Sequence, residues 1–458
     1  MSMPQIANDP MHKDDFFNRV HHQPKKRLNE LLGVPAHIHH IAHHMANPPI
    51  ERPQSQDEFR YALQCLEIKD DDAVIEEKFG YGIRTENTGD RLIVVWESHT
   101  EYYTYQIWHI VNDTHIPPTF GPISFPDYHF PLCPLGDQIT SLDIVIAPNQ
   151  KYTLEQIQKL IPGQSLHGGY ICGNDISVVT SFIEDQNHRE RYLVFSPSEH
   201  SLSQNLTQVI DGITTLENYT HLILRPLPTF SLAIDEIHEF ERHHLTQKGK
   251  VSEQLPTSTS TILDQWMTEL TNDYVEVSRL AETMRYQLSA AIPYESIIRV
   301  TIQAIAEQPM RGHQLSSFRP ISEYVLGRIT GVADGYQQLI RRIDAMNAAI
   351  EGTISIIRAR IELLLEQQNI TLLVSMDQTT KRQAILQRTV EGLSFIVISY
   401  YVTGLANYIF EAFQAIGWIK NATLATGLFV PVSLLFSLGL TMLGHNAINK
   451  ALHSDGKK

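Results

Sequence analysis

The chain has 458 residues, long enough for two or three folding units. Lysines and arginines number 36 against 51 aspartates and glutamates, a net charge of −15, so no basic face is available for phosphates and nucleic acid is excluded as a partner. Cys65, Cys133 and Cys172 show no Cys-x-x-Cys spacing, which excludes a thiolate metal site and fits a reducing compartment.

The opening residues, MSMPQIANDPMHKDDFF, have neither the basic start nor the apolar core of a signal peptide, so the bulk of the protein is expected in the cytoplasm. Residues 1–55 form a polar, His-rich segment. Within it, 27–32 fits a short helix ended by Gly33 and Pro35, and 36–42 fits a strand. Phe59, Leu63 and Leu66 share one face of a helix over 56–66, and Asp70, Asp71 and Asp72 precede a second short helix, 73–79. From Arg91 the period changes. LIVVWESHTEYYTYQIWHI predicts a hairpin with strands at 92–97 and 103–110. A proline-rich loop covers 117–134, an apolar strand 142–147 and a helix 153–160, ended by Pro162 and Gly163. Strands follow at 176–183 and 191–195, then a helix at 202–216. This interleaving predicts an α/β (α+β) cytoplasmic domain with a mixed sheet over 56–230.

From residue 231 strand signals vanish and a helical stalk is expected to 390: a helix at 232–245, a polar linker at 247–259, a long helix at 262–288, and a last helix from 321. Ile329, Val332, Tyr336, Leu339, Ile343, Met346 and Ile350 alternate spacings of three and four, a coiled-coil seam that Ile354, Ile357, Ile361 and Leu364 extend. With no proline before Gly392, this helix would be ~100 Å long. Such a rod needs partners along its seam, from within the chain, from other copies, or from both, and a homo-oligomer is expected.

Two apolar runs close the sequence, GLSFIVISYYVTGLANYIF (392–410) and ATLATGLFVPVSLLFSLGLTML (422–443), and neither holds a charge. A bilayer core about 30 Å thick needs roughly 20 apolar helical residues, so residues 391–448 predict a two-helix transmembrane hairpin, with spans near 393–413 and 422–443. Lys381, Arg382 and Arg388 precede it, and Lys450, Lys457 and Lys458 follow. Both ends, including the tail 449–458, are therefore expected on the cytoplasmic side of the cell (inner) membrane.

Three stretches carry a family resemblance: VVWESHTEYYTYQIW (94–108), FRPISEYVLGRI (318–329) and RARIELLLEQQNITLLVSMDQTTKRQAILQRTVEGLSFIVISYYVTGL (358–405). With weaker likeness from His22 nearly to the end, the chain resembles a bacterial family of uncharacterised membrane-anchored proteins, a domain of unknown function. The resemblance implies a membrane anchor but brings no particular activity with it. In LNELLGVP, Gly33 stands where the family pattern has a histidine. In architecture alone, a cytoplasmic domain on stalk helices entering a two-span hairpin is similar to the CorA-type magnesium transporters. Their Gly-Met-Asn signature is missing: the corresponding residues are Gly404, Leu405, Ala406 and Asn407.

The densest candidate ligand set is His37, His39, His40, His43 and His44. Imidazoles bind zinc, copper or nickel, and a divalent cation is the partner such a set would take. On a helix 39/43 and 40/44 would pair, and on a strand 37 and 39 would share a face. No acidic partner lies nearby in sequence, and a solvated run is the alternative. Glu97, His99 and Glu101 sit at the hairpin turn, a carboxylate–imidazole grouping suited to ligand contact or to acid/base work. His167, Gly168, Gly169 and Gly173 lack the lysine and helix of a phosphate loop, so a tight turn is expected. In the first span Ser399, Thr403 and Asn407 share one face, with Gly404 allowing close approach, and the face serves helix packing or lines a pore. No hydrolase, metalloprotease, kinase or dinucleotide motif is present. The expectation is a non-enzymatic integral membrane protein without a cofactor, whose partners are the lipid bilayer and further copies of itself. The alternative is a CorA-like cation channel or transporter gated by the stalk.

Overall fold

The computed structural model describes residues 23–113, 118–123, 136–173, 175–310 and 318–455. Cys133, Lys457, Lys458 and most of the predicted loop 117–134 lie outside these ranges. The chain divides into two compact units, Met1–Ser252 with Glu269–Gly352, and Glu253–Thr268 with Thr353–Lys458.

In chain order the first unit contains α1 (Gln23–Leu31), β1 (Ala36–His44), α2 (Pro48–Cys65), β2 (Ala73–Ile75), β3 (Phe79–Thr85), β4 (Arg91–Ser98), β5 (Tyr102–Ile110) and β6 (Gln138–Pro148). There follow α3 (Leu154–Leu160), β7 (His167–Ile171), β8 (Ile176–Glu184), β9 (Glu190–Ser196) and α4 (Glu199–Leu224). Helices α5 (Leu227–Gln254), α6 (Ser260–Leu288) and α7 (Ala291–Ile305), strand β10 (Gln308–Pro309) and helix α8 (Ile321–Ala415) come next, and α9 (Ala422–Asp455) completes the described chain.

The ten strands make one mixed sheet in the order β10-β7-β8-β9-β6-β1-β5-β4-β3-β2. Only β6 and β9 run parallel, joined by the crossover through α3, β7 and β8. The histidine run is the strand at the centre. Because successive side chains alternate faces, β1 presents His37 and His39 to one side and Ile38, His40 and Ala42 to the other. On the first side α2 packs Phe59, Leu63 and Leu66 on Leu92, Val94, Trp96 and Tyr105, while α3 packs Ile157 and Ile161 on Val145, Val179 and Leu193. On the second side α4 lies over β6 and β9, with Leu222 against Ala42, Tyr102 and Ile139. Helix α3 begins with a reciprocal capping box between Thr153 and Gln156, which satisfies two otherwise orphaned backbone donors.

Four local expectations are corrected. Residues 73–79 are not a helix: they form β2 and the start of β3, where Gly80 and Gly82 lie beneath α2. A Cβ on Gly82 would come within 2.5 Å of Leu63, so glycine here is what lets the helix approach the strand. The stretch 167–171 is a strand rather than a tight turn, which comes only at Cys172 and Gly173. Gly169 is bare because the side chain of Glu307 lies across it, 2.4 Å from where a Cβ would stand. That carboxylate accepts the backbone N–H groups of Ile321 and Ser322 at 2.8 and 2.7 Å, capping α8. The linker at 247–259 is mostly helix, since α5 runs to Gln254 and a 3-10 turn, Leu255–Thr257, follows. Finally, the histidine run is not solvated: His37, His39, His40 and His43 are all buried.

The seam on α8 has partners inside the chain. Ile329, Tyr336, Leu339, Ile343, Met346 and Ile350 are buried. Phe230 of α5 lies 4.9 Å from the Tyr336 ring, Glu241 pairs with Arg342 at 2.8 Å, and Arg285 of α6 pairs with Asp344. In the second unit Arg360 donates to the Pro256 carbonyl at 2.7 Å. Residues 362–390 of α8 then run exposed, except the half-buried Leu364. Among the described residues two helical stretches, the end of α8 and Ala422–Gly439, are long and apolar enough to cross a membrane, with 11% and 17% of their most apolar windows buried.

Candidate functional site

Strand β1 gathers its chemistry from both sides of the sheet. Register places His39 opposite Asp143 of β6, and His37 shares that face. His37 Nε2 is 2.5 Å from Asp143 Oδ1, and His39 Nε2 is 3.9 Å from the same oxygen. The other carboxylate oxygen accepts the Gly121 N–H at 3.0 Å, and the Gly121 carbonyl lies 2.9 Å from His39 Nε2. Arg189 sets its guanidinium 2.7 Å from His39 Nε2. Burial, with the charges of Arg189 and His37, pushes His39 down to about 3 and keeps it neutral. These three side chains have the makings of a metal cluster. The guanidinium already occupies the approach to His39, however, and both Asp143 oxygens have partners, so the arrangement reads as a closed polar network.

The remaining histidines diverge. His40 turns to α4, where its Nε2 lies 3.1 Å from Asn218 Oδ1, which also accepts from the Thr140 hydroxyl at 2.6 Å. Burial pushes His40 down to about 4. His43 stacks on Tyr103 at 5.7 Å, with Nδ1 3.4 Å from the Gly136 carbonyl. His44 lines a cavity of about 630 Å³ together with Glu101, Asp137, Arg225 and Tyr294. The hairpin residues also part company: Glu97 pairs with Lys25 at 3.2 Å, His99 stacks on Tyr102 at 4.2 Å, and Glu101 accepts from the Tyr294 hydroxyl. They form no single constellation.

In the second unit, Thr403 hydrogen-bonds Ser433 of α9 at 2.6 Å, and Asn407 Oδ1 accepts from the Thr426 hydroxyl at 2.7 Å. Ser399 donates to its own helix at the Phe395 carbonyl, and a Cβ on Gly404 would meet nothing within 4 Å.

A second grouping escaped the sequence. Glu190 of β9 and Glu217, Thr220 and His221 of α4 line a cavity of about 430 Å³, closed on another side by Tyr324 and Arg328 of α8, and the buried Tyr192 of β9 contacts Glu217 directly. Tyr192 is buried well above its ordinary range and so stays a donor, giving its proton to Glu217 Oε1. Burial opposes a charge on His221, but Glu190 and Glu217 beside it prevail and push it up to about 10. The signal was an acid at a core position: Leu206, Ile210, Ile213 and Thr220 lie on the buried face of α4, and Glu217 falls in that series. A helix read as ending at 216 stops one residue short of it.

A family profile described as "Protein of unknown function (DUF3422)" matches residues 16–446. The chain belongs to the DUF3422 family. No curated protein matches it and no solved structure matches it, so the likeness to CorA-type transporters gains no support from these comparisons. Both the histidine strand and the carboxylate cavity of this DUF3422 chain fall within the matched residues.

Proposed function

We propose that this DUF3422 chain is a non-enzymatic integral membrane protein that carries its mixed-sheet domain on the cytoplasmic side of a bilayer. One observation carries the reading: the two apolar helices leave Leu405, Tyr408, Leu424, Leu428, Leu435 and Phe436 exposed, yet turn Thr403 and Asn407 onto Ser433 and Thr426. Polar groups facing inward and apolar groups facing outward suit lipid and are unfavourable in water. The exposed run of α8, with Leu365, Leu372, Leu373, Met376, Leu386 and Val390, supports assembly with further copies along the rod. Full-length protein should sediment with membranes and resist alkaline extraction, and a variant lacking residues 392–443 should move to the soluble fraction. Extraction of both alike removes the anchor.

The alternative, a cation channel gated by the stalk, needs Ser399, Thr403 and Asn407 free to face an axis. The bonds of Thr403 and Asn407 across to α9 favour packing within the hairpin instead. Asn407→Leu separates the two. A packing role predicts a hairpin weakened by about 0.6–1.7 kcal/mol with no change in ion flux, read from detergent melting and vesicle flux assays. Cation flux in the native protein that disappears in the variant while assembly persists selects the channel.

A further inference from the structure

We propose that Glu190, Glu217 and His221 form a binding site for a divalent transition-metal ion of the zinc, manganese or iron class, with part of its coordination sphere open to the cavity. His221 Nε2 lies 3.5 Å from Glu190 Oε1 and 3.5 Å from Glu217 Oε2. Charge-assisted hydrogen bonds run about 2.7–2.9 Å, so these spacings are long for one. They match the edge of a tetrahedron, about 3.4 Å, drawn around an ion with bonds of about 2.1 Å. The three donor atoms lie within 4.8 Å of one another.

The unpaired polar atoms point the same way. Glu190 is 9% exposed and Thr220 7%, both line the cavity, and neither Glu190 Oε2 nor Thr220 Oγ1 has a hydrogen-bond partner. A buried carboxylate oxygen without a donor is costly, and an ion with its water supplies what both atoms lack. Tyr192 occupies Glu217 Oε1 and leaves Oε2 turned to His221, an outer contact that fixes a ligand's orientation. Two carboxylates and an imidazole, without sulfur, favour these ions over copper(I), the imidazole disfavours calcium and magnesium, and binding at Nε2 releases to solvent the proton that the carboxylates otherwise hold on His221. Arg225 and Arg328 on the cavity wall suit a small anion or water at the open position.

The test uses full-length, metal-stripped protein in detergent, titrated with zinc chloride by calorimetry and with cobalt(II) chloride by visible absorption. The native chain should take up one equivalent at this site, with cobalt bands of nitrogen and oxygen ligation, and zinc should raise its melting temperature. His221→Ala and Glu190→Gln should each lose at least 100-fold in affinity, and Tyr192→Phe, which leaves the ligands in place, about 10- to 100-fold. His39→Ala should bind as the native chain does. Absence of zinc and cobalt uptake by the native chain overturns the proposal. So does undiminished uptake in His221→Ala, or uptake lost in His39→Ala alone.

Discussion

Asp143 is fully buried and serves two strands and a loop at once, accepting at one oxygen beside His37 and at the other from Gly121. Asp143→Ala should lower stability by about 3 kcal/mol, because it strands a buried imidazole and a backbone donor. Urea unfolding followed through the buried Trp96 and Trp108 would read it. The same strand makes the fold acid-sensitive. His40 is held by burial down to about 4, against an ordinary 6.5, so the unfolded chain takes up this proton more readily than the folded one. Its stabilising effect is complete above pH 6.5 and is lost as pH falls toward 4. Between pH 7.5 and 5 the loss should be about 2 kcal/mol, and His40→Leu should flatten that slope whatever it does to stability at pH 7. Some of this was legible in the sequence: a strand with 37 and 39 on one face was one of two open geometries. Asp143 was in plain view as the lone charge in an apolar run, but its partnership depends on β6 lying beside β1, a pairing across 106 residues that spacing cannot show.

At the scale of elements, β3 and α2 meet where side chains are absent. Gly82→Val should displace Leu63 and Ile68, whose methyl groups lie 2.5 and 3.0 Å from the added Cβ, and cost about 1–3 kcal/mol in thermal unfolding. The hairpin of β4 and β5 was readable because β-branched and aromatic residues crowd it on both sides of a polar turn. Strand β7 was not. Its glycines imitate a turn, and their reason, the carboxylate of Glu307 laid over Gly169, comes from 138 residues further on. Helix α5 was read short because Gln247, Lys248, Lys250, Glu253 and Gln254 are polar, yet such residues are good helix formers where one face alone is packed, as Val251 is.

Over the whole molecule, composition announced the apolar hairpin, but the chain's return to its own sheet left no local mark. After more than eighty residues of mainly helical chain, β10 pairs with β7, and α7 covers α4 with Tyr294 5.1 Å from Tyr219. A fragment ending at residue 230 should therefore bind a hydrophobic dye and melt without cooperativity, whereas one ending at 352 should melt in a single transition. Equal cooperative melting of both would show that the later helices are dispensable. The heptad seam was legible as a pattern, and its occupants were left open. Over 329–350 they are α5 and α6, so the seam there is filled from within the chain, and only the run that follows is exposed.

The central strand also proofreads its own threading. Most sheets hold alignment through apolar residues that are interchangeable along the strand, but β1 is checked by different polar groups on its two faces, Asp143 on one and Asn218 on the other. If it slid one position so that His40 took the place of His39, Ile38 would face Asp143 where His37 belongs and Ile41 would face Asn218. Each misaligned assembly thereby loses a partner on both faces, one in the neighbouring strand and one in the helix laid over it.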